Sequence, residues 1–272
     1  MADRLRLTIL GCGSSPGVPR IMGDWGACDP NNPRNRRLRA SALVERIRED
    51  GARTRVVIDT GPDFREQMIS NGVNTLDAVV YTHPHADHIH GIDDLRGYVL
   101  VQKKRMDIYA DDATMERLRD GFLYCFETPE GSDYPPILTP HRIEHYEPLT
   151  IEGAGGPLTF LPLPQQHGLI HSLAFRVGPF AYCSDVSEFY PQSLPHLENL
   201  ELLVIDALQY RTHPNHLSLG EALEWIERLK PERAVLTHMH NPLDYEAVQN
   251  ETPAHVEPAY DGMVLETTIS SD

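Results

Sequence analysis

Short apolar runs broken by Gly, Pro and polar clusters recur along the whole chain: LRLTILG, ASALVERI, TRVVIDTG, LDAVVYTH, MDIYA, LTFLPLP, HSLAFRVG, FAYCSD, LELLVIDAL and RAVLTHM. Their length and their content of Val, Ile, Leu, Phe and Tyr predict β-strands. Between some of them the apolar spacing changes to about 3.6, in GPDFREQMISNG, TMERLRDGFLYCF and, most clearly, SLGEALEWIERLKP, which predicts helices. In the last segment Ser218 is an N-cap candidate with Glu221 three residues on. Leu219, Ala222, Leu223, Trp225, Ile226 and Leu229 share one broad face, and Pro231 stops the helix. Strand and helix patterns are mixed throughout, with no internal repeat, no low-complexity tract and no compositional break to mark a linker. A single domain over residues 1–272 of the α/β (α+β) class is the expectation. The least regular stretch is 127–157, rich in Pro, Gly and His, which reads as an irregular connection or as a lid over a site.

Composition narrows the class of partner. A hydrophobic content of 40% and a charged content of 24% are those of an ordinary globular protein. The formal charge of -16 works against attraction to duplex nucleic acid or anionic lipid. The segment PRNRRLR runs against that trend, with Arg34, Arg36, Arg37 and Arg39 close together. A solvated loop is the plain reading of it, and an anion contact at a site mouth the functional one. Cys12, Cys28, Cys125 and Cys183 show no close-pair spacing, which fits a reducing compartment. No stretch approaches the ~20 apolar residues that cross a bilayer. A cytoplasmic protein is expected, with no membrane partner; the oligomeric state is open, a homodimer included.

The chemistry concentrates in VVYTHPHADHIHG. His83 and His85 flank Pro84, which forbids a regular helix there and favours an extended turn that sends both imidazoles to one side. Asp87 and His88 follow at once. Imidazole nitrogen and carboxylate oxygen suit Zn²⁺, Mn²⁺ or Fe²⁺. A surface histidine patch without a role would not follow the buried-looking LDAVVY or carry a turn-forming Pro and Asp. Four donors cannot complete two open sites, so others must come from downstream strand ends. His167 in LPQQHG, Asp185 in AYCSDV and His238 in AVLTHMH each stand where an apolar run turns polar. His240, two residues beyond His238, is its substitute or neighbour. Asp59, at the end of VVID, either receives a ligand imidazole's other N–H or caps the turn at Gly61. His90 is a candidate neighbour of the donors, whereas Asp93 and Asp94 read as acids opening a helix.

The pattern H-x-H-x-D-H, a distant His, an Asp about a strand later and a final His after LT resembles the metallo-β-lactamase superfamily over nearly the whole chain. The resemblance implies a four-layer αββα sandwich with a two-metal centre. It implies that His83, His85 and His167 hold one ion, that Asp87, His88 and His238 hold the other, and that Asp185 bridges them. The opening LTILGCGSSPGVP and the stretch THPNHLSLGEALEWIERLKPERAVLTHM are similar to the phosphodiesterase branch, which includes the cyclic phosphodiesterase of the carbon–phosphorus lyase pathway and the tRNA 3′-end endonuclease. In that branch H-x-S ahead of a helix supplies a phosphate-contacting histidine, so His216 becomes the candidate general acid. The alternative leaves His216 uninvolved while Ser218 caps the helix. GDWGACDP offers Cys28 alone where the carbon–phosphorus lyase enzyme has further cysteines, so a separate structural zinc is not expected.

The resemblance thus implies a phosphodiesterase with a small, cyclic or linear phosphate ester as substrate and two divalent ions, zinc foremost and manganese or iron otherwise. Asp87 and Asp185 would hold and orient a metal-bridging hydroxide and His216 would protonate the leaving group. A hydrolase of a lactone, β-lactam or thioester on the same metals is the rival, and a non-catalytic binding member of the fold the second. A flavo-diiron redox protein is discounted because the chain has no room for a flavin domain.

Overall fold

The computed structural model describes residues 3–269. The chain first lays down β1 (Asp3–Gly11), β2 (Ser41–Ile47), β3 (Arg53–Ile58), β4 (Ala78–Val80), β5 (Met106–Ala110) and β6 (Leu138–Arg142). Then come β7 (Leu149–Ile151), β8 (Leu158–His167), β9 (Ile170–Val177), β10 (Phe180–Cys183), β11 (Glu188–Phe189), β12 (Leu202–Asp206), β13 (Arg233–Thr237) and β14 (Val256–Pro258). The last strand, β15 (Met263–Ile269), returns to the edge of the first sheet and pairs antiparallel with β1. The sheets run β15-β1-β2-β3-β4-β5-β6 and β11-β8-β9-β10-β12-β13-β14, with β7 also paired to β8.

Each sheet joins an antiparallel meander to a parallel run. β1-β2-β3 continues into parallel β4, β5 and β6, and β8-β9-β10 continues into parallel β12, β13 and β14. The two halves therefore share a topology that leaves no visible repeat in the sequence. Both sheets are covered on two faces at their centres, so the central parallel strands β4 and β12 are buried throughout and apolar up to Asp206. In β3, Val56 and Ile58 enter the core between the sheets while Val57 faces the outer layer; in β4, Ala78 and Val80 face inward and Val79 outward. Helices α1 (Phe64–Ser70), α3 (Arg96–Gln102) and α4 (Asp112–Phe126) contribute to or pack against the outer core of the first sheet. Helices α5 (Leu219–Leu229) and α6 (Tyr245–Glu251) add residues to the core of the second. The result is the αββα sandwich.

Helix α5 begins as its sequence predicts. The Ser218 side chain accepts from the Glu221 N–H, and the Glu221 carboxylate accepts from the Ser218 N–H at 2.8 Å, a reciprocal cap. Leu219, Ala222, Trp225, Ile226 and Leu229 are buried. Most of the 127–157 stretch is irregular, as expected, but it also carries two short strands: β6 completes the first sheet beside β5 and β7 pairs with β8 of the second. Its end is held against β2 and β3, where Arg46 donates to the Pro157 carbonyl and Thr54 to the Gly156 carbonyl. No helix among the described residues is long and apolar enough to cross a membrane.

Candidate metal centre

The histidine-rich segment leaves the carboxyl end of β4 between the two sheets. His85 is extended (φ -68, ψ 150), as the Pro84 constraint demands, and serves as N-cap of the single helical turn α2 (Ala86–Ile89). Asp87 and His88 thus sit in a short helical turn that follows the extended His83–His85 segment. The loop is clamped from outside: the Thr60 N–H donates to the His88 carbonyl at 2.9 Å and the Gly91 N–H to the Thr60 carbonyl at 2.8 Å. The approach is so close that a Cβ at Gly61 would stand 2.1 Å from the Asp87 carbonyl oxygen. Only glycine fits there.

The other donors arrive from neighbouring strand ends: His167 closes β8, Asp185 lies just past β10 and His238 just past β13. Asp185 and His238, like Asp59 beyond β3, adopt left-handed backbone (φ 55, 57 and 65). Such conformations cost a non-glycine residue roughly 1–3 kcal/mol and persist where surrounding structure enforces them. Here each turns a side chain sharply off its strand toward one point.

Two groups result. The donor atoms of His83, His85 and His167 lie within 4.8 Å of one another, as do those of Asp87, His88, Asp185 and His238. Asp185 stands between them. Its Oδ1 is 3.3 Å from His88 Nε2, and its Oδ2 is 3.3 Å from His238 Nε2, 3.8 Å from His83 Nε2 and 3.9 Å from His167 Nε2. His167 Nε2 to His85 Nδ1 is 3.2 Å, and His88 Nε2 to Asp87 Oδ2 is 3.4 Å. Metal–ligand bonds of about 2.0–2.1 Å put neighbouring donors about 3.0–3.4 Å apart, so these spacings suit shared ions better than direct hydrogen bonds. The chemistry of the donors agrees. His83 Nε2, His88 Nε2 and His238 Nε2 are buried without a hydrogen-bond partner, a costly state unless something binds them.

Burial holds His83, His85 and His167 below the ordinary imidazole pKa, which leaves neutral rings with lone pairs to offer. Burial opposes a charge on His88 as well, but Asp185, Asp87 and Asp59 surround it and lift it well above that value. His85 is the exposed donor and marks the open side.

Outer hydrogen bonds aim the rings. The buried Asp59 carboxylate is 2.7 Å from His88 Nδ1, and it also accepts from the Thr82 N–H at 2.8 Å and the Thr82 hydroxyl at 2.7 Å. The hydroxyl, having given its proton to Asp59, must accept from His83 Nδ1–H at 2.9 Å, so His83 and His88 both present Nε2 to the centre. His167 Nδ1 donates to the Asn215 carbonyl at 2.8 Å. Thr82 and Asn215 were not singled out from sequence, and nothing local marks them. Asp206 was also missed, although it ends the apolar run LLVID in the way Asp59 ends VVID. Its Oδ2 is 2.7 Å from His216 Nδ1 and accepts from the Val186 N–H at 3.0 Å.

His216 does face the centre, its ring 4.7 Å from that of His238 and 4.8 Å from that of His167. Burial pushes its pKa down, but the Asp206 carboxylate outweighs this and raises it to about 9. Ser218 caps α5, and His216, two residues before it, turns toward the centre. His240 lies outside both donor groups and bonds to the Ser14 hydroxyl through Nδ1 at 2.9 Å. His90 packs edge-on to Phe122, and Asp93 pairs with Arg96. Cys28 Sγ contacts the Asn241 and Leu243 carbonyls and belongs to no cluster of donors among the described residues.

The arginine segment is only partly a solvated loop. Arg37 is buried and donates to the Leu243 and His240 carbonyls, and Arg39 bonds to both oxygens of Asp63. Arg34 and Arg36 are exposed, Arg34 with its guanidinium over the Tyr245 and Tyr260 rings.

Comparison with known proteins places this geometry. The β-lactamase superfamily domain matches residues 54–239. A crystal structure of a diphosphatase from the PhnP family superposes with a TM-score of 0.87, at 36% identity and over 100% of both chains. The metallo-β-lactamase fold protein YhfI from Bacillus subtilis superposes with a TM-score of 0.69 at 20% identity, over 97% of this chain and 100% of that one. An octanoyltransferase from Porphyromonas gingivalis is 31% identical over 264 residues, which are 95% of this chain and 51% of that protein. The chain thus spans about half the length of the curated relative it matches.

Proposed function

Since the chain belongs to the β-lactamase superfamily and has the metallo-β-lactamase hydrolase fold, we propose that it is a phosphodiesterase acting on a small phosphate diester, cyclic or linear. His216 carries the reading. A protonated imidazole, fixed through Nδ1 by Asp206 and stacked beside the donors, is placed to give its Nε2 proton to a departing alkoxide. The diphosphatase activity of the 36% identical neighbour supports phosphate as the electrophile.

His83, His85 and His167 would hold one divalent ion, Asp87, His88 and His238 a second, with Asp185 shared. Zinc suits the nitrogen-rich set, and manganese or iron are within its chemistry. When bound, such ions supply Lewis acidity toward phosphoryl oxygens and acidify an attacking water. The chain's own residues do the rest. Asp59 and Thr82 fix the tautomers of His88 and His83, Asp206 keeps His216 charged and oriented, and exposed His85 leaves the substrate side open.

One observation favours the rival acyl hydrolase: Arg37 is buried against backbone carbonyls and Arg39 is paired with Asp63, so neither of these two offers a free guanidinium to an anion. A panel decides between them. Zinc- and manganese-reconstituted protein is assayed on bis(p-nitrophenyl) phosphate, a cyclic nucleotide, a phosphoanhydride diester, a lactone and a thioester. Turnover of the phosphate esters is expected; lactone or thioester turnover with the phosphate esters inert overturns the proposal.

A further inference from the structure

Beyond the centre already described, three donors converge from separate elements. Asp111 follows β5 and caps α4 through Oδ1, which accepts from the Thr114 N–H at 2.9 Å. Its Oδ2 is left to face two imidazoles: His171 Nε2, from the start of β9, at 2.8 Å and His145 Nε2, from the β6–β7 connection, at 3.8 Å. The two rings meet edge to face with centroids 5.1 Å apart, and the three donor atoms lie within 4.8 Å of one another. They share none of their members with the two groups of the main centre.

We propose that Asp111, His145 and His171 form a third divalent-cation site, with water completing the coordination. One carboxylate oxygen and two imidazole nitrogens aimed at a common point are a set that zinc, manganese or iron accept. Asp111 and His171 share a hydrogen bond at 2.8 Å, and His145 Nε2, at 3.8 Å from the same oxygen and beyond hydrogen-bond reach of it, presents its ring to the same point from the exposed side. A cation about 2.1 Å from each donor needs only a small movement of half-exposed His145.

The surroundings permit entry. The donors line a cavity of about 400 Å³ together with Arg142, Glu144 and Asp112. Arg142 does not compete for Asp111, because its guanidinium is paired with Asp112 at 2.8 Å and Glu144 at 3.3 Å. Asp111 directly follows a strand of the first sheet and His171 lies in the second, so an ion here would link the ends of the two sheets beside the hairpin that carries His167.

The test is a metal count. Full-length protein, stripped with chelator, is dialysed against a series of free ZnCl2 concentrations, and bound zinc per chain is measured by elemental analysis. The wild type is expected to take up one equivalent more than His145→Ala or His171→Gln, with the affinity of that extra equivalent weakened at least ten-fold in each variant. Asp111→Asn, which keeps an oxygen for the helix cap, serves as the third variant, and circular dichroism verifies folding. His85→Ala is run in parallel, so failure of the main centre lowers a different part of the isotherm. An isotherm unchanged in folded His145→Ala and Asp111→Asn proteins overturns the third site and leaves the hydrolase reading as it was.

Discussion

Replacing Asp59 by Asn tests how the centre is organised. The carboxylate accepts three hydrogen bonds, from His88 Nδ1–H, the Thr82 N–H and the Thr82 hydroxyl, while fully buried. An amide of the same shape can accept through one oxygen only, and its NH₂ must then face a donor. The mismatch is relieved if His88 changes tautomer, so that Nδ1 accepts from the amide and Nε2 becomes protonated, but that proton occupies the lone pair a metal needs. The Thr82 hydroxyl, no longer obliged to donate to Asp59, likewise loosens its hold on His83. Loss of such an outer partner costs 10–100-fold in metal affinity, about 1.4–2.7 kcal/mol. Zinc affinities would be measured by competition with a chromogenic chelator, next to a Thr82→Val variant, which removes the partner of His83 and one of the three donors to Asp59 while leaving the Asp59–His88 bond in place. Asp59→Asn is expected to weaken the ion on His88 most, and Thr82→Val the ion on His83 most. Wild-type affinity for both ions in a folded Asp59→Asn protein refutes the tautomer argument.

His216→Ala should lower kcat by about 10²–10⁴-fold on an alkyl phosphodiester, yet by much less on a p-nitrophenyl ester, whose leaving group needs no proton; equal losses on both would remove His216 as general acid. Gly61→Ala places a Cβ at 2.1 Å from the Asp87 carbonyl. The metal loop must shift, and chemical denaturation should show a loss of more than about 1–3 kcal/mol together with reduced metal content. Burial raises the Asp261 carboxyl to about 7 from 3.8, so the folded state binds this proton more tightly than the unfolded chain does. That contribution is fully present below pH 3.8 and is lost as pH rises through about 7. In urea titrations of metal-free protein, wild type should therefore lose stability relative to Asp261→Asn between pH 3.8 and about 7, and parallel curves would contradict the assignment.

Local pattern was enough for much of this protein, because the features it reads are made by neighbours in sequence. The capping box of Ser218 and Glu221, the apolar strand run of Val56, Val57 and Ile58, and the Pro84-constrained run from His83 to His88 all lie within a turn or a strand of themselves. The edge strands β6, β7, β11, β14 and β15 were passed over, as they are short or only half buried and carry little apolar signal. Only the tertiary structure decided which charged residues are free to act. Arg37 looks like a surface cation in PRNRRLR, yet it is buried because residues more than two hundred positions later supply carbonyls for it. Asp206 and His216 become a pair because β12 lies between β10 and β13, and Asp111 meets His145 and His171 because the two sheets end side by side. Sequence spacing carries no record of which strands are neighbours. That depends on packing apolar faces over the whole chain, and the packing determines where distant donors meet.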